Sequence, residues 1–435
     1  MMHQKTLQSR TCRAQAPRVL HPGRAVRRVC VTRHATANNG LGSSGPGLDE
    51  PIELINGRVT SGPDLSVEVN GLKLPNPFII GSGPPGTNYQ VMKKAFDEGW
   101  GGVICKTLSL DSSKVVNVTP RYAKLRDYSG RVFGWQNFEL ISDRPFELML
   151  GEMRRLRQEY PERVIIASVM EEYNKNAWEE IIGRCEEVGV DAFEINFSCP
   201  HGLPERRMGM AMGQDPEVLG EVCGWINGAA RVPVWAKMTP NVTDIAAQAA
   251  VALRAGCEGV AAINTIQCIT GVNLDTLRPE PSVEGYSTPG GYSWKAVKPI
   301  ALAKVAAIAK GMEREFGGQG RSLSGIGGVE TGGDAAEFIL LGADTVQVCT
   351  GVMIHGYPVV KSLCGGLQRF MTKHGFNSIS QFRGASLPYV TVHSELVRRQ
   401  REAIAAKKAR VGLANDAEWS GEDFVKNAES MVANK

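Results

Sequence analysis

The chain has 435 residues, of which 22% are charged, and a formal net charge of +4. Residues 1–48 contain eight Lys or Arg and no Asp or Glu, so the remaining 41 basic and 45 acidic residues form a mildly acidic body. Such a body gives no electrostatic indication of nucleic-acid binding. No apolar run reaches the ~18 residues that a membrane-spanning helix requires.

Residues 1–48 are predicted to be a transit peptide followed by a linker. The segment is rich in Arg and lacks both acidic residues and an apolar core, which is typical of an organelle address and not of a secretory signal. The residues 29–31 and 35–37 indicate a plastid processing zone, with a mitochondrial address as the alternative. A disordered basic arm is the other interpretation. Residues 38–46 have the composition of a linker.

The body begins with a hairpin and continues with alternating strand and helix patterns. Residues 67–74 alternate in hydrophobicity around Asn70-Gly71, a type I′ turn sequence. Eight short apolar runs follow, each typical of a strand buried on both faces. These predicted strands are 78–83, 102–107, 164–170, 192–199, 232–239, 259–265, 323–329 and 345–351.

Amphipathic patterns predict helices after most of these strands. The predicted helices are 145–159, 176–188, 216–228, 244–255, 295–312, 335–341 and 359–373. Eight such units predict a TIM (β/α)8 barrel over residues 49–375, and a doubly wound sheet is the alternative. Residues 376–435 are predicted to form a C-terminal helical extension, with helices at 394–408 and 422–432.

The ten cysteines are scattered, and none forms a C-x-x-C pair. We therefore expect neither a zinc ribbon nor an iron–sulfur cluster, and no metal site.

The most informative polar cluster stands at the end of the fourth predicted strand. Asn196, Ser198, Cys199 and His201 follow one another there, and Pro200 forces the chain out of the sheet. Strand ends are where α/β folds carry their chemistry. A lone cysteine in such a place is more often structural, but the surrounding polar residues favour a functional one.

Two lysines and two glycine-rich turns mark other strand ends. Lys106 and Lys237 close apolar strands, and a lysine is rarely buried without a partner. Residues 325–329 and 349–351 form glycine-rich turns after strands 7 and 8, where TIM barrels usually bind phosphate. Together they favour a phosphate-bearing cofactor such as FMN. The G-x-G-x-x-G pattern at 81–86 is not read as a dinucleotide site, because two of its residues are prolines without N–H groups.

The strand ends as a set resemble those of the FMN-dependent dihydroorotate and dihydropyrimidine dehydrogenases over residues 65–370. The Pro200-His201 pair, and the segments 173–176, 202–209 and 213–217, are similar to the dihydropyrimidine branch. The residues that carry the resemblance to the whole family are Ser82, Lys106, Thr107, Asn137, 196–202, 237–241, Asn264, Thr265, Gly327 and Gly328.

This resemblance implies a role for each matched residue. Cys199 would be the general acid that protonates C5 of the pyrimidine, Lys237 would hold the N1/O2 edge of the flavin, and Lys106 would lie near its N5 edge. Glu139, His201 and Glu205 are weaker candidates for substrate contact or loop positioning. The expected FMN-binding residues are Ser82, Lys106, Thr107, Lys237, Thr265, Gly291, Gly327, Gly328, Val329, Cys349 and Thr350. The expected substrate-binding residues are Asn137, Asn196, Phe197, Ser198, Asn264 and Thr265.

The implied activity is the reduction of uracil and thymine to their 5,6-dihydro forms. The alternatives are a dihydroorotate dehydrogenase of pyrimidine synthesis and a flavin-binding scaffold without turnover. Large relatives of this branch carry additional domains that bind NADPH, FAD and iron–sulfur clusters. Nothing outside residues 65–370 of this sequence looks able to hold such cofactors. We therefore expect NADPH as the electron donor, bound directly over the flavin or acting through a separate reductase or ferredoxin. The assembly is expected to be a homo-oligomer.

Overall fold

A closed barrel of parallel strands forms the centre of the protein. The computed structural model describes residues 48–198, 208–317 and 319–409. Within these residues, each barrel strand pairs in parallel with its neighbour in chain order, and the last strand pairs with the first. The TIM barrel predicted from the sequence is therefore confirmed. Its strands are β1 Phe78–Ile80, β2 Gly102–Ile104, β3 Val164–Val169, β4 Ala192–Asn196, β5 Val234–Lys237, β6 Gly259–Ala262, β7 Ser322–Ile326 and β8 Thr345–Val348.

A helix follows each barrel strand and covers the outside of the barrel. Asp215 and Asp244 begin two of these helices, because each side chain accepts hydrogen bonds from two backbone N–H groups of the first turn. The helix after β1 was not among those predicted from the sequence; Asn88 caps its N-terminus by accepting one hydrogen bond, from the backbone N–H of Val91. The helices are α1 Tyr89–Glu98, α2 Phe146–Glu159, α3 Lys175–Glu186, α4 Pro216–Ala229, α5 Ile245–Arg254, α6 Lys298–Phe316, α7 Gly332–Leu340 and α8 Val359–His374.

The predicted hairpin is present and covers the N-terminal end of the barrel. Its strands are Val67–Val69 and Leu72–Leu74. Asn70 and Gly71 have φ of 48° and 81°, as a type I′ turn requires. The side chain of Asn70 accepts a hydrogen bond of 2.9 Å from Trp235 Nε1, so the turn is anchored to β5.

A separate antiparallel sheet, here called the insertion sheet, stands on the loops that follow β2 and β6. Its strands are Tyr122–Arg126 and Val132–Asn137 from the first loop, and Ile266–Cys268 and Gly290–Ser293 from the second. These strands were not predicted from the sequence. Because both loops leave the C-terminal ends of barrel strands, the insertion sheet lies at the end of the barrel where the active site is expected.

The C-terminal part packs on the barrel before it becomes exposed. Ile379 and Phe382 are buried within the hydrophobic core, beyond the predicted barrel boundary at residue 375. A helix at His393–Ala409 follows, close to the prediction of 394–408. The predicted helix 422–432 and residues 1–47 lie outside the described residues, and the division of the chain into domains stays a prediction. None of the described helices combines the length and hydropathy needed to cross a membrane.

Candidate active site

A cleft opens at the C-terminal end of the barrel, between the strand ends and the insertion sheet. It encloses about 1190 Å³, including the part that is open to solvent. From the strand ends it is lined by Ser82, Gly83, Lys106, Thr107, Asn196, Lys237, Asn264, Thr265, Gly327, Gly328, Val329, Cys349, Thr350 and Gly351. From the insertion sheet and its flanks it is lined by Tyr122, Trp135, Asn137, Glu139, Tyr292, Ser293 and Trp294.

At the bottom of the cleft, Lys237 belongs to a fully buried polar network. Its ammonium donates to Glu194 Oε1 at 3.0 Å and to Gln347 Oε1 at 2.9 Å. The other side of the Gln347 amide donates to Glu194 Oε2 at 2.6 Å. Glu194 and Gln347 are 0% exposed and Lys237 is 2% exposed. Two of the three ammonium hydrogens are thus accounted for, and the third remains for a group in the cleft.

The same network joins four barrel strands, β4, β5, β7 and β8, and the segment that follows β1. Ser82 donates to Glu194 Oε1 at 2.9 Å, and Gln347 also donates to Ser324 Oγ at 3.1 Å. A buried charge is tolerated only when it is paired and hydrogen-bonded. The lysine side chain is therefore held in a single orientation by partners on β4 and β8.

Lys106, which follows β2, is paired with a different acidic side chain from that of Lys237. Its ammonium forms an ion pair with Glu139, which also accepts a hydrogen bond from the Tyr122 hydroxyl. Burial and the Glu139 carboxylate raise the pKa of Tyr122 well above its usual value. Tyr122 is therefore a neutral donor at physiological pH, and the carboxylate of Glu139 is shared between a cation and a phenol.

Asparagine side chains form the middle of the cleft. Asn264 Nδ2 donates to Asn196 Oδ1 at 3.3 Å, and Asn196 Nδ2 donates to Thr107 Oγ1 at 3.0 Å. Across the cleft, Asn137 Nδ2 donates to the carbonyl of Gly291 at 3.0 Å. Amides carry both donors and acceptors, so this wall can recognise a flat ring whose edge alternates N–H and C=O groups.

The glycine-rich ends of β7 and β8 form another part of the cleft lining. Gly327 and Gly328 have φ of 143° and 78°, and a Cβ on Gly328 would lie only 2.8 Å from the carbonyl oxygen of Trp294. The backbone can approach a ligand closely here because no side chain intervenes. Burial raises the pKa of the neighbouring Cys349 thiol to about 11, so this thiol is neutral.

Most of the predicted site residues within the described part of the chain meet in this cleft. Phe197, Ser198 and Gly291 do not line it. Phe197 and Ser198 are 0% exposed, and the Ser198 hydroxyl donates to the carbonyl of Lys237 at 2.8 Å. Gly291 lies in a strand of the insertion sheet. The predicted catalytic Cys199 lies outside the described residues, as do His201 and Glu205.

Some residues of the cleft and of the buried network beneath it were not predicted from the sequence. Glu194 stands two positions before Asn196 on β4, and Gln347 two positions before Cys349 on β8. The period of two in a strand places each pair on the same face, which could have indicated them. Tyr122, Trp135 and Trp294 were missed because they belong to the insertion sheet or follow it directly.

The barrel, its two buried lysines and the glycine-rich turns after β7 and β8 together indicate the protein family of this chain. The chain belongs to the dihydroorotate dehydrogenase family, whose model, described as dihydroorotate dehydrogenase, matches residues 64–371. The family predicted from the sequence is thereby confirmed.

Curated relatives refine this placement. The chain is 67% identical over 386 residues to the chloroplastic dihydropyrimidine dehydrogenase (NADP(+)) of Arabidopsis thaliana, which covers 87% of this chain and 90% of that protein. It is 42% identical over 322 residues to the NAD-dependent dihydropyrimidine dehydrogenase subunit PreA of Escherichia coli K12, covering 74% and 76% of the two chains. The dihydroorotate dehydrogenase B (NAD(+)) catalytic subunit of Pyrococcus abyssi is 33% identical over 325 residues, covering 74% and 99%.

Proposed function

We propose that the protein is a dihydropyrimidine dehydrogenase that reduces uracil and thymine to their 5,6-dihydro forms. The observation that carries the proposal is the juxtaposition, in one cleft, of two buried lysines with the amides Asn137, Asn196 and Asn264. The lysines suit an electron-rich ring, and the amides suit the edge of a cyclic ureide. The 67% identity to a dihydropyrimidine dehydrogenase supports the same conclusion.

The residues of the cleft fit FMN as the cofactor. Gly327 and Gly328 offer a wall without side chains, where a Cβ would meet Ala301 at 2.6 Å or the Trp294 carbonyl at 2.8 Å. They would accept the phosphate end, with Thr350 nearby, and Lys237 would hold the pyrimidine edge of the flavin ring. When bound, FMN supplies the hydride chemistry that protein side chains lack.

The protein's own groups would orient the substrate and move its proton. Asn196, Asn264 and Thr265 would bind the N–H and C=O groups of the pyrimidine. Cys199, three positions after the last residue of β4, would hold the proton that is delivered to C5. A thiol with an ordinary pKa near 8.5 is protonated at neutral pH and can still release its proton.

The test is anaerobic mixing of the purified full-length protein with NADPH, followed by uracil or orotate. We expect a flavin absorbance that NADPH bleaches and that uracil, not orotate, restores, with formation of dihydrouracil. Restoration by orotate alone would contradict the proposal and assign the dihydroorotate branch. A purified protein that binds flavin but transfers electrons to neither uracil nor orotate would support the scaffold alternative.

The plastid is the proposed location, and residues 1–48 are the proposed address. The support is the composition of this segment together with the chloroplastic relative. A fluorescent protein fused behind residues 1–60 should enter plastids, and the same fusion without residues 1–48 should not. Import into mitochondria would favour the alternative address. Homo-oligomerisation is proposed as well and is tested by light scattering of the purified protein.

A further inference from the structure

The charged groups that line the cleft are few, and the protein already pairs them with one another. Among the described residues, the charged side chains of the lining are Lys106, Lys237 and Glu139. Lys237 is paired with Glu194 beneath the lining, at 3.0 Å, and Lys106 is paired with Glu139. The side chains of Lys106 and Glu139 are only 6% and 12% exposed. Each ammonium group of the cleft is therefore balanced by a carboxylate of the protein itself.

The carboxylate of Glu139 has two further neighbours in addition to Lys106. It accepts a hydrogen bond from the Tyr122 hydroxyl, and Arg121 Nη1 lies 3.7 Å from its Oε1. Two cations and a neutral phenol are partners that suit a carboxylate anion. The position of this negative charge in the cleft is thus fixed from several sides.

The pair of Lys106 and Glu139 lies between two groups of amides that are proposed to bind the pyrimidine. The backbone N–H of Glu139 donates to Asn137 Oδ1 at 3.2 Å. On the other side, Lys106 is followed directly by Thr107, whose hydroxyl accepts a hydrogen bond of 3.0 Å from Asn196. The charged pair therefore belongs to the part of the cleft that would hold the substrate.

The thiol of Cys349 shows that the charges of the cleft lie near one point. Burial is the main cause of the raised pKa of this thiol. The ammonium groups of Lys237 and Lys106 oppose the rise in pKa, and the carboxylate of Glu139 adds to it. Because electrostatic effects weaken with distance, an anion bound in this part of the cleft would meet the carboxylate as well as the two ammonium groups.

A pyrimidine that carries a carboxylate has no free cation in this cleft. Uracil and thymine are neutral and need only donors and acceptors, whereas orotate adds a negative charge. The free hydrogen of the Lys237 ammonium is the one proposed for the flavin, and Lys106 already holds Glu139. The carboxylate of orotate would therefore lie beside that of Glu139 or would have to displace it, and like charges brought together in this way weaken binding.

We propose that Glu139 is the specificity-determining residue that excludes carboxylated pyrimidines, because its own carboxylate occupies the ammonium of Lys106 that the substrate's carboxylate would need. This inference rests on the proposed function and adds the residue that separates neutral pyrimidines from orotate. The exclusion works by charge and not by size. Without the negative charge of Glu139, Lys106 and Arg121 would have no carboxylate partner among the described residues, so the same place should attract an anion.

The test compares two molecules of nearly the same size that differ in charge, orotate and its neutral amide, uracil-6-carboxamide. Their dissociation constants are measured by equilibrium dialysis with the full-length, FMN-loaded, oxidised protein. The quantity of interest is the ratio of the dissociation constant of orotate to that of the amide. Effects of size, and any general loosening of the cleft in a variant, act on both molecules and cancel in this ratio.

The variants remove, keep or displace the charge of Glu139. Glu139→Gln and Glu139→Ala remove it, so that a folding defect in one variant does not end the test, and Glu139→Asp keeps it. The matched control is Asp143→Asn, four positions further along the same loop. Asp143 is exposed, accepts a hydrogen bond of 3.1 Å from Asn117 and does not line the cleft. This control removes the same charge from a place that the substrate does not reach.

In the parent protein we expect the amide to bind at least about tenfold more tightly than orotate. Glu139→Gln and Glu139→Ala should lower the ratio at least tenfold, whereas Glu139→Asp and Asp143→Asn should leave it within about threefold of the parent. An amide that binds the parent no better than orotate overturns the inference, because size would then exclude the substituent. A ratio that does not respond to the loss of charge at position 139, or that falls equally in Asp143→Asn, overturns it as well.

The inference and the proposed function can fail separately. If uracil reoxidises the reduced parent protein but the ratio is the same in all variants, the role of Glu139 is wrong and the proposed activity stands. If the reduced parent protein transfers electrons to orotate and not to uracil, the proposed function itself is wrong.

Discussion

The ion pair between Glu194 and Lys237 offers the sharpest test of how the cleft is built. Both side chains are buried, and they meet at 3.0 Å inside the barrel. Replacing Glu194 with Gln keeps the size of the side chain and removes its charge. The ammonium of Lys237 would then have two neutral amides as partners, Gln347 and the glutamine introduced at position 194, and no carboxylate.

The expected loss is large because breaking one side of a buried pair leaves a charge without compensation. Such changes cost about 3–5 kcal/mol, a substantial part of the ~5–15 kcal/mol that stabilises a typical protein. Replacing both members with neutral side chains is far less costly, since no charge is then left alone. Glu194→Gln combined with Lys237→Met should therefore recover at least about 2 kcal/mol relative to the sum of the single changes.

Urea unfolding followed by tryptophan fluorescence measures these free energies, in flavin-stripped protein so that ligand binding adds nothing. The four proteins of the cycle are the parent, the two single variants and the double variant. A loss below about 1 kcal/mol for Glu194→Gln, or strict additivity in the double variant, would refute the account of a coupled buried pair. The control Glu68→Gln, on the exposed side of the N-terminal hairpin, should change stability by no more than about 0.5 kcal/mol.

Other predictions concern the proposed catalytic thiol, the glycine turn after β7, the N-terminal hairpin and the dependence of stability on pH. Cys199→Ala should lower uracil turnover by about 10²–10⁴-fold with flavin content unchanged, and normal turnover would contradict its role. Gly328→Ala should reduce flavin retention at least tenfold, since the added Cβ meets the Trp294 carbonyl at 2.8 Å; absorbance of the purified variant measures this. Asn70→Ala should cost about 1–3 kcal/mol in urea unfolding because the Trp235 indole loses its acceptor, without change in turnover. Burial raises the pKa of Cys349 to about 11, above the ordinary thiol value of about 8.5, so the unfolded chain releases this proton first and stability falls as pH rises from about 9 to 11. Cys349→Ser should make that fall shallower in unfolding curves, and an identical fall would exclude the thiol as its source.

The sequence alone was sufficient for the barrel and for much of its cleft. Strands buried on both faces must be short apolar runs, so their number and spacing were visible without coordinates. A barrel gathers its strand ends at one rim, so polar residues such as Lys106, Lys237 and Asn264 could be assigned to one site by position alone. The family resemblance then added roles to these positions.

Tertiary structure alone decided which side chains are partners. Lys237 and Gln347 are 110 residues apart, and only closure of the barrel directs both toward Glu194. The insertion sheet was not predicted because its short strands come from two loops far apart in the sequence, and only the folded chain pairs them. Trp294 shows the same dependence on the fold: its positive φ, and the lack of an acceptor for its indole among the described residues, are properties of the folded chain, where the end of that sheet meets the glycine turn of β7.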